Sequence, residues 1–282
     1  MVRIDLHTHS SVSDGTDPPA DVMLQAKTAG LDVVALTDHD TVAGHGKAVA
    51  AAPDGLTFVP GMELSCRLDG HSVHMLAYLF DPGDPGLTAE CDRIRSDRVR
   101  RAEAMVARLA ELGTGVTWEQ VTALVDGGVV GRPHIARALA DDGAVDEPAS
   151  AFSKEWIGMG GRAYVGRYAL DPVRAIRLIR GAGGVAVLAH PRSGRDSWMV
   201  PDEVLARLAE AGLRGVEVHH PDQDPKERLR LEALADELGL VASGGSDDHG
   251  TLTGHRIGSE TTPPDAYEHL LSTATGALPV QT

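Results

Sequence analysis

Short β-branched runs alternate with stretches of helical spacing over most of the chain. The runs, each followed by polar residues, predict seven strands, at residues 2–6, 32–36, 57–59, 73–79, 184–188, 215–218 and 240–242. Apolar residues at helical spacing predict helices between most of them, at residues 19–29, 42–52, 172–182, 201–211 and 225–238. Such alternation is typical of a parallel α/β architecture, and about seven nearly continuous apolar strands favour a barrel or a barrel-like sheet.

The middle of the chain interrupts this alternation. Residues 86–166 show helical periodicity and contain no run that predicts a strand. One apolar stripe at helical spacing comprises Ile94, Val99, Met105, Val106, Leu109 and Leu112. We therefore expect a helical insertion at residues 86–166, between two parts of one barrel domain at residues 1–85 and 167–282.

The amino-acid composition limits which classes of molecule the protein can bind. The chain has 282 residues with 26 basic and 41 acidic side chains, a net charge of −15. A surface with this charge repels long duplex nucleic acid and anionic membranes, whereas a small anionic substrate can bind where metal ions reverse the charge locally. No leader-like segment opens the chain, and no apolar run is long enough to span a bilayer. We expect a cytoplasmic protein, either a monomer or a small homo-oligomer.

Histidine or carboxylate residues follow or lie in almost every predicted strand. Nine of them are candidate metal ligands: His7, His9, Asp14, His39, Glu63, His74, His190, Asp247 and His249. In a parallel barrel the carboxyl ends of all strands lie on one face, so these side chains should converge there. Each has an ordinary alternative, such as a surface histidine or a buried histidine satisfied by one hydrogen bond. The joint pattern favours a metal site. Surface or supporting positions are expected for histidines outside it: His45, His71, His219, His220, His255 and His269.

The residue types indicate which metals and which chemistry to expect. Imidazole and carboxylate ligands without a thiolate suit Zn, Mn or Fe, and Cys66 and Cys91 show no metal-binding spacing. Nine ligands are too many for one ion and suffice for two or three ions that share a carboxylate. Closely spaced divalent ions generate hydroxide at neutral pH and neutralise charge on a reacting phosphoryl group. The pattern therefore predicts a metal-dependent hydrolase.

Five short motifs carry most of the candidate ligands. They are Asp5-Leu6-His7-Thr8-His9-Ser10, Thr37-Asp38-His39-Asp40-Thr41, Gly61-Met62-Glu63-Leu64-Ser65, Ala189-His190-Pro191 and Gly245-Ser246-Asp247-Asp248-His249. Together they resemble the motifs of the PHP (polymerase and histidinol phosphatase) family of metal-dependent phosphoesterases. The position of the insertion further resembles the branch that contains 3′,5′-nucleotide bisphosphate phosphatases and 5′→3′ exoribonucleases of the RNase AM type. The resemblance implies a distorted (β/α)7 barrel.

The resemblance also implies a centre of three divalent ions. Its first ion would be held by His7, His9, Glu63 and Asp247. Its second would share Glu63 and add His74 and His190, and its third would be held by Asp14, His39 and His249. The implied activity is hydrolysis of a phosphomonoester, above all the 3′-phosphate of a nucleoside 3′,5′-bisphosphate. Short RNA 5′ ends, degraded in the 5′→3′ direction, are the alternative substrate.

Gly131-Arg132-Pro133-His134 predicts a helix start in the insertion. The amino end of a helix carries partial positive charge and can bind an anion, and an ordinary helix start with an exposed arginine is the alternative. In the branch that the chain resembles, an Arg and a His at these positions contact the substrate phosphate. This implies substrate-binding and catalytic roles for Arg132 and His134, beside the catalytic role of the bridging Glu63.

Two other functions compete with a phosphoesterase. One is an amidohydrolase acting on a C–N bond, because such enzymes also open with a His-x-His pair. That class usually needs a lysine at the end of a middle strand, and none of the four lysines of the chain lies at such a position. The other is a non-catalytic metal-binding domain, which the intact ligand set disfavours.

Overall fold

The computed structural model describes residues 2–125, 130–193 and 198–282, and the chain divides into two compact units. The first, here called the barrel unit, comprises Met1–Cys91 and Ala169–Thr282. The second, here called the helical unit, comprises Asp92–Tyr168. No helix in the described part of the chain is both long and apolar enough to cross a membrane.

One mixed sheet forms the centre of the barrel unit. Its strands are β1 (Ile4–Asp5), β2 (Val33–Leu36), β3 (Thr57–Leu68), β4 (His71–Tyr78), β5 (Val185–Leu188), β6 (Gly215–His219), β7 (Val241–Gly244) and β8 (Val280–Gln281). Strands β1 to β7 follow one another in sequence order, and β8 pairs with β3. Beyond the ends of β1 and β7, Thr8 forms a parallel bridge with Asp248, so the sheet is nearly closed. These features confirm the predicted barrel-like α/β fold with seven principal strands.

Strand β4 runs antiparallel to both of its neighbours, so the prediction of an all-parallel sheet is wrong at this strand. Strands β3 and β4 form a hairpin in which Leu68 pairs with His71. The two-residue turn consists of Asp69 and Gly70, with φ values of 47° and 89°. Tight hairpin turns favour positive φ at both central residues, and Asp-Gly is one of their strongest sequence signals. The reversal is therefore a consequence of these two residues.

Two ligand positions depend on this hairpin. Strand β3 is longer than the predicted strand at residues 57–59, and Glu63 lies within it rather than after it. His74 lies in the first half of β4, opposite Ser65 of β3. The expectation that Glu63 follows its strand is therefore wrong, whereas His74 lies within its strand, as the predicted strand at residues 73–79 implied. Because β4 is reversed, its first half still lies at the end of the sheet that carries the other ligands.

Nine α-helices occur among the described residues. They are α1 (Pro19–Thr28), α2 (His45–Ala51), α3 (Pro85–Glu111), α4 (Trp118–Ala123), α5 (Arg132–Asp141), α6 (Pro172–Gly181), α7 (Asp202–Glu210), α8 (Pro225–Leu238) and α9 (Pro264–Thr273). Proline fits the first turn of a helix because the missing N–H would have no partner there. Asp171 and Asp224 cap α6 and α8 by accepting hydrogen bonds from backbone N–H groups at 3.0 and 2.8 Å.

The barrel unit is packed on both faces of its strands. In β2, Val33 and Ala35 join a cluster with residues of β1, β4 and β5, whereas Val34 and Leu36 join a second cluster with residues of α1 and α2. Side chains of a strand alternate between its faces, so a strand buried on both is apolar throughout. This is why the predicted strands show continuous rather than alternating apolar character.

The helical unit has its own core. Residues of α3, α4 and α5 and of a 3-10 helix at Pro148–Phe152 form one buried cluster, and Met105, Leu109, Val121, Ile135 and Leu139 are fully buried in it. Within residues 92–125 and 130–168, the structure contains helices and turns but no strand. The sequence pattern predicted this composition because the apolar residues recur at helical spacing.

Candidate metal centre

The ends of β1 and β7 are held together by the buried carboxylate of Asp5. Its Oδ1 atom accepts hydrogen bonds from the backbone N–H groups of His7 and Ser246, at 3.1 and 3.0 Å. Gly245 allows the two segments to approach, because a Cβ atom there would lie only 2.4 Å from Cβ of His7. Burial raises the pKa of Asp5 to about 6, against the effect of its hydrogen bonds.

Two further buried aspartates position the neighbouring loops. Asp38 accepts hydrogen bonds from the backbone N–H and the hydroxyl of Ser10, at 2.8 and 2.7 Å. Asp40 accepts hydrogen bonds from the backbone N–H and the hydroxyl of Ser65, both at 2.8 Å. The first pair fixes the loop after β1, and the second fixes the loop that carries His39 against β3.

The first ligand group comprises His7, His9, Glu63 and Asp247, all of them buried. Nε2 of His7 lies 3.4 Å from Oε2 of Glu63 and 3.3 Å from Oδ1 of Asp247. Nε2 of His9 lies 3.2 and 3.3 Å from the same two oxygens, and the two nitrogens are 3.1 Å apart. A tetrahedral ion with bonds of about 2.0–2.1 Å needs ligand atoms roughly 3.3 Å apart. The group therefore has the dimensions of a four-coordinate metal site.

The second ligand group uses the other oxygen of Glu63. Oε1 lies 2.8 Å from Nδ1 of His74 and 3.2 Å from Nε2 of His190. Because Oε2 faces the first group, one carboxylate offers an oxygen to each of two groups. This is the arrangement that a bridging ligand requires.

The third ligand group surrounds Asp14, whose side chain is half exposed. Nε2 of His39 lies 3.4 Å from Oδ2 of Asp14, and Nε2 of His249 lies 3.3 Å from Oδ1. Nδ1 of His249 donates a hydrogen bond to the backbone carbonyl oxygen of Asp247 at 3.0 Å. This contact leaves the lone pair of Nε2 directed at the group, so the tautomer suits metal binding. The structure thus brings together all nine residues that the sequence pattern selected.

Divalent cations fit these groups chemically. Nδ1 of His9 is buried and has no hydrogen-bond partner among the described residues, and the nearest Asp14 oxygen is 3.7 Å away. Burial alone would raise the pKa of Glu63, but the charges of His74, His39 and His7 hold it well below its usual range. Burial would lower the pKa of His9, yet hydrogen bonds to Asp247 and Glu63 raise it to about 10. Bound cations would take the place of these protons.

Three non-glycine residues at the centre have left-handed backbone conformations. They are Asp40, His190 and Asp247, with φ values of 55°, 25° and 48°. Each such conformation costs on the order of 1–3 kcal/mol and persists only where the surroundings enforce it. Here the backbone N–H of each residue is hydrogen-bonded, to Glu63, Glu217 and His7 respectively. The side chains of His190 and Asp247 thereby reach the ligand groups, whereas that of Asp40 bonds to Ser65.

Two supporting residues lie directly behind the ligands. Glu217 of β6 is buried, and its Oε1 accepts a hydrogen bond from Nδ1 of His7 at 2.9 Å. His220 is buried as well, and its Nε2 lies 3.2 Å from Oδ2 of Asp247. The ligand pattern in the sequence does not include Glu217, and His220 was expected at a surface or supporting position. A signal was present, because Glu217 is a charged residue within the otherwise apolar run at residues 215–218.

Arg132 and His134 lie in the first turn of α5, in the helical unit. Nδ1 of His134 accepts a hydrogen bond from the backbone N–H of Gly131 at 3.0 Å, so the proton of the neutral ring is on Nε2. Burial lowers the pKa of His134, which favours that neutral form. The Arg132 guanidinium lies 5.4 Å from the centre of the Phe152 ring. Their contact with substrate stays a prediction.

Comparisons with known proteins agree with this geometry. The family model described as PHP domain matches residues 5–114. The chain is 35% identical over 268 residues to a 3′,5′-nucleoside bisphosphate phosphatase of Chromobacterium violaceum, covering 94% of each protein. It is 34% identical over 248 residues to a 5′-3′ exoribonuclease of Haemophilus influenzae, covering 88% of this chain and 90% of that protein.

A solved structure from Bifidobacterium adolescentis, described as a metal-dependent phosphoesterase, superposes on the chain with a TM-score of 0.84. Its sequence is 33% identical, and the match covers 96% of each chain. The similarity to this structure and to the two curated relatives extends over nearly the whole chain, including both units. The chain therefore belongs to the PHP family and is a metal-dependent phosphoesterase.

Proposed function

We propose that the chain removes the 3′-phosphate of a nucleoside 3′,5′-bisphosphate with a centre of three divalent ions. The observation that carries the three-ion centre is the position of Glu63, whose two oxygens face two different ligand groups. The third group adjoins the first, because His9 lies within reach of both Glu63 and Asp14. Imidazole and carboxylate donors suit Mn, Zn or Fe.

Each group of residues has a defined part in this proposal. His7, His9 and Asp247 would hold the first ion, His74 and His190 the second, and Asp14, His39 and His249 the third, with Glu63 shared by the first two. When bound, the ions would activate water and neutralise charge on the phosphoryl group. Hydrogen bonds orient the rings of His7 and His249, and the pKa values of Glu63 and Asp247 are held well below their usual range, so these ligands need little reorganisation.

The residues at the amino end of α5 are suited to bind a phosphate group of the substrate. Arg132 supplies a planar guanidinium that can bind two phosphate oxygens, and His134 presents Nε2–H as a second donor. The partial positive charge at the amino end of the helix adds to the attraction for an anion. A bisphosphate has two anionic groups, one for hydrolysis and one for recognition, which agrees with the name of the Chromobacterium relative.

The second candidate is 5′→3′ exoribonuclease activity on short RNA. It is favoured by the Haemophilus relative, whose identity to the chain is almost the same. The net charge of −15 disfavours a long polyanion without excluding a short RNA end. Membership of a phosphoesterase family argues against the amidohydrolase alternative.

The test is product identification with a small panel of substrates. With Mn²⁺, the protein should hydrolyse adenosine 3′,5′-bisphosphate to adenosine 5′-monophosphate and inorganic phosphate, identified by ³¹P NMR after the metal has been removed from the quenched reaction. Accumulation of the 3′-monophosphate would mean that the other phosphate is attacked. Stepwise release of mononucleotides from 5′-phosphorylated RNA, without turnover of the bisphosphate, would favour the exoribonuclease instead.

A further inference from the structure

A pocket of about 100 Å³ adjoins the second ligand group. His74 and His190, the two histidines that face Oε1 of Glu63, form part of its wall. A molecule in this pocket would therefore lie beside the reacting centre. All of the described lining residues belong to the barrel unit.

The remaining wall of the pocket is mainly apolar. Val73, Ala189, Pro191, Trp198 and Val200 line it together with Ser72 and Ser193. The hydroxyl of Ser72 also lies 3.4 Å from Nε2 of His74. Among the described lining residues there is no carboxylate, lysine or arginine. Away from the two histidines, such a wall suits a neutral group with polar atoms at its edge and disfavours a phosphate.

Trp198 is held in a defined orientation. Its ring stacks on the imidazole of His71, with the centres 4.3 Å apart and the planes 5° from parallel. His71 does not line the pocket, so one face of the indole is used for this stack while the rest of the ring borders the pocket. An aromatic side chain fixed in this way costs little entropy when a planar ligand stacks or packs against it.

We propose that this pocket binds the nucleobase of the substrate, and the inference rests on the proposed nucleotide substrate. A purine or pyrimidine is neutral and planar, and it carries hydrogen-bonding atoms at its edge that match the two serine hydroxyls. Every base has an aromatic face, so contact with Trp198 gives affinity with little base selectivity. The ribose would span the distance between the pocket and the phosphate at the ligand groups.

The test compares a nucleotide with its abasic counterpart. The substrates are adenosine 3′,5′-bisphosphate and the same sugar bisphosphate without a base, and the variants are Trp198→Leu and Trp198→Phe. In the wild type, kcat/KM should favour the nucleotide by roughly 5- to 150-fold, the range for one base–aromatic contact. Trp198→Leu should reduce this preference to near unity, mainly through KM, and Trp198→Phe should restore most of it. Met199→Ala, next in sequence but outside the pocket wall, is the matched control.

A binding measurement separates failure of the inference from failure of the proposed function. In a protein with Trp118→Phe and Trp156→Phe, Trp198 is the only indole, and adenosine 5′-monophosphate should quench its fluorescence saturably while ribose 5-phosphate should not. If the bisphosphate is hydrolysed but Trp198→Leu keeps the wild-type preference, the pocket assignment is overturned and the function stands. If no bisphosphate is hydrolysed, quenching by the nucleotide still supports the pocket, and its absence overturns the pocket too.

Discussion

Nδ1 of His7 donates a hydrogen bond to Oε1 of Glu217 at 2.9 Å, and both side chains are buried. This contact places the proton of the neutral imidazole on Nδ1 and leaves the Nε2 lone pair directed at Glu63 and Asp247. The second oxygen of Glu217 accepts a hydrogen bond from the backbone N–H of His190 at 2.9 Å. Glu217 therefore orients ligands of both the first and the second group. Hydrogen-bonded carboxylates behind histidine ligands are a recurrent feature of metal sites.

Glu217→Gln should weaken metal binding without removing a ligand. The amide can donate as well as accept, so it no longer enforces the Nδ1–H tautomer of His7. We expect an approximately 10- to 100-fold loss of affinity for Mn²⁺, measured by competition with a chromophoric chelator. Glu227→Gln, in α8, is the matched control and should bind metal as the wild type does. Wild-type affinity in Glu217→Gln would show that the contact has no role in orientation.

The three ligand groups predict about three bound ions per chain after saturation with Mn²⁺ or Zn²⁺. Elemental analysis of the dialysed protein measures the ratio directly. Asp14→Ala should lower it by one, because the third group loses its only carboxylate. A single ion per chain in the wild type would contradict the three-ion centre.

Glu63→Gln should reduce activity more than replacement of a single terminal histidine such as His74. Its carboxylate contacts two groups, so the change disturbs both ions that would act on water. We expect kcat to fall by several orders of magnitude while the circular dichroism spectrum stays that of the wild type. Near-native turnover would mean that Glu63 does not bridge.

Arg132→Ala separates phosphate recognition from metal binding. It touches no proposed ligand, so metal content should equal that of the wild type. We expect kcat/KM for the nucleoside bisphosphate to fall by roughly one to three orders of magnitude, the scale of a charge-assisted contact to an anion, and Arg132→Lys to recover part of it. A proportionate loss with p-nitrophenyl phosphate would assign Arg132 to the scissile phosphate, and little loss would assign it to a remote one. Wild-type kinetics on both substrates would make it an ordinary surface arginine.

Metal binding should release protons at neutral pH. Hydrogen bonds to Asp247 and Glu63 raise the pKa of His9 to about 10 despite its burial, so the metal-free side chain is protonated at pH 7. Apparent metal affinity should therefore rise with pH up to about 10. Protonation of His9 also stabilises the metal-free fold, because its pKa is about 10 in the folded chain and about 6.5 in the unfolded chain. This contribution is fully present below about pH 6.5 and is lost as the pH rises through about 10. Titration calorimetry in buffers of different ionisation enthalpy measures the proton release, and equal heats in all buffers would contradict it.

The sequence by itself determined most of the metal centre. Ligands such as His7, His9 and Asp247 directly follow buried strands, and the ends of parallel strands meet on one face whatever the details of packing. Helix starts were also determined locally, because Pro172 and Asp171 satisfy the first turn of α6 without help from the rest of the fold. The Asp69-Gly70 turn belongs to this class too, since its two residues encode the hairpin that reverses β4.

Only the tertiary structure decided how the ligands are divided among the three groups and which residues hold them in place by hydrogen bonds. The sequence does not distinguish the two oxygens of Glu63. They differ in the fold because His9, which follows β1, lies beside Oε2, and His74 of β4 lies beside Oε1. Glu217 is 210 residues from His7, and no local rule pairs a strand carboxylate with a histidine so distant. The stack of His71 on Trp198 is likewise a contact between remote segments. Local residues determine where a strand or helix begins, whereas pairing of distant side chains depends on the closed sheet that brings them together.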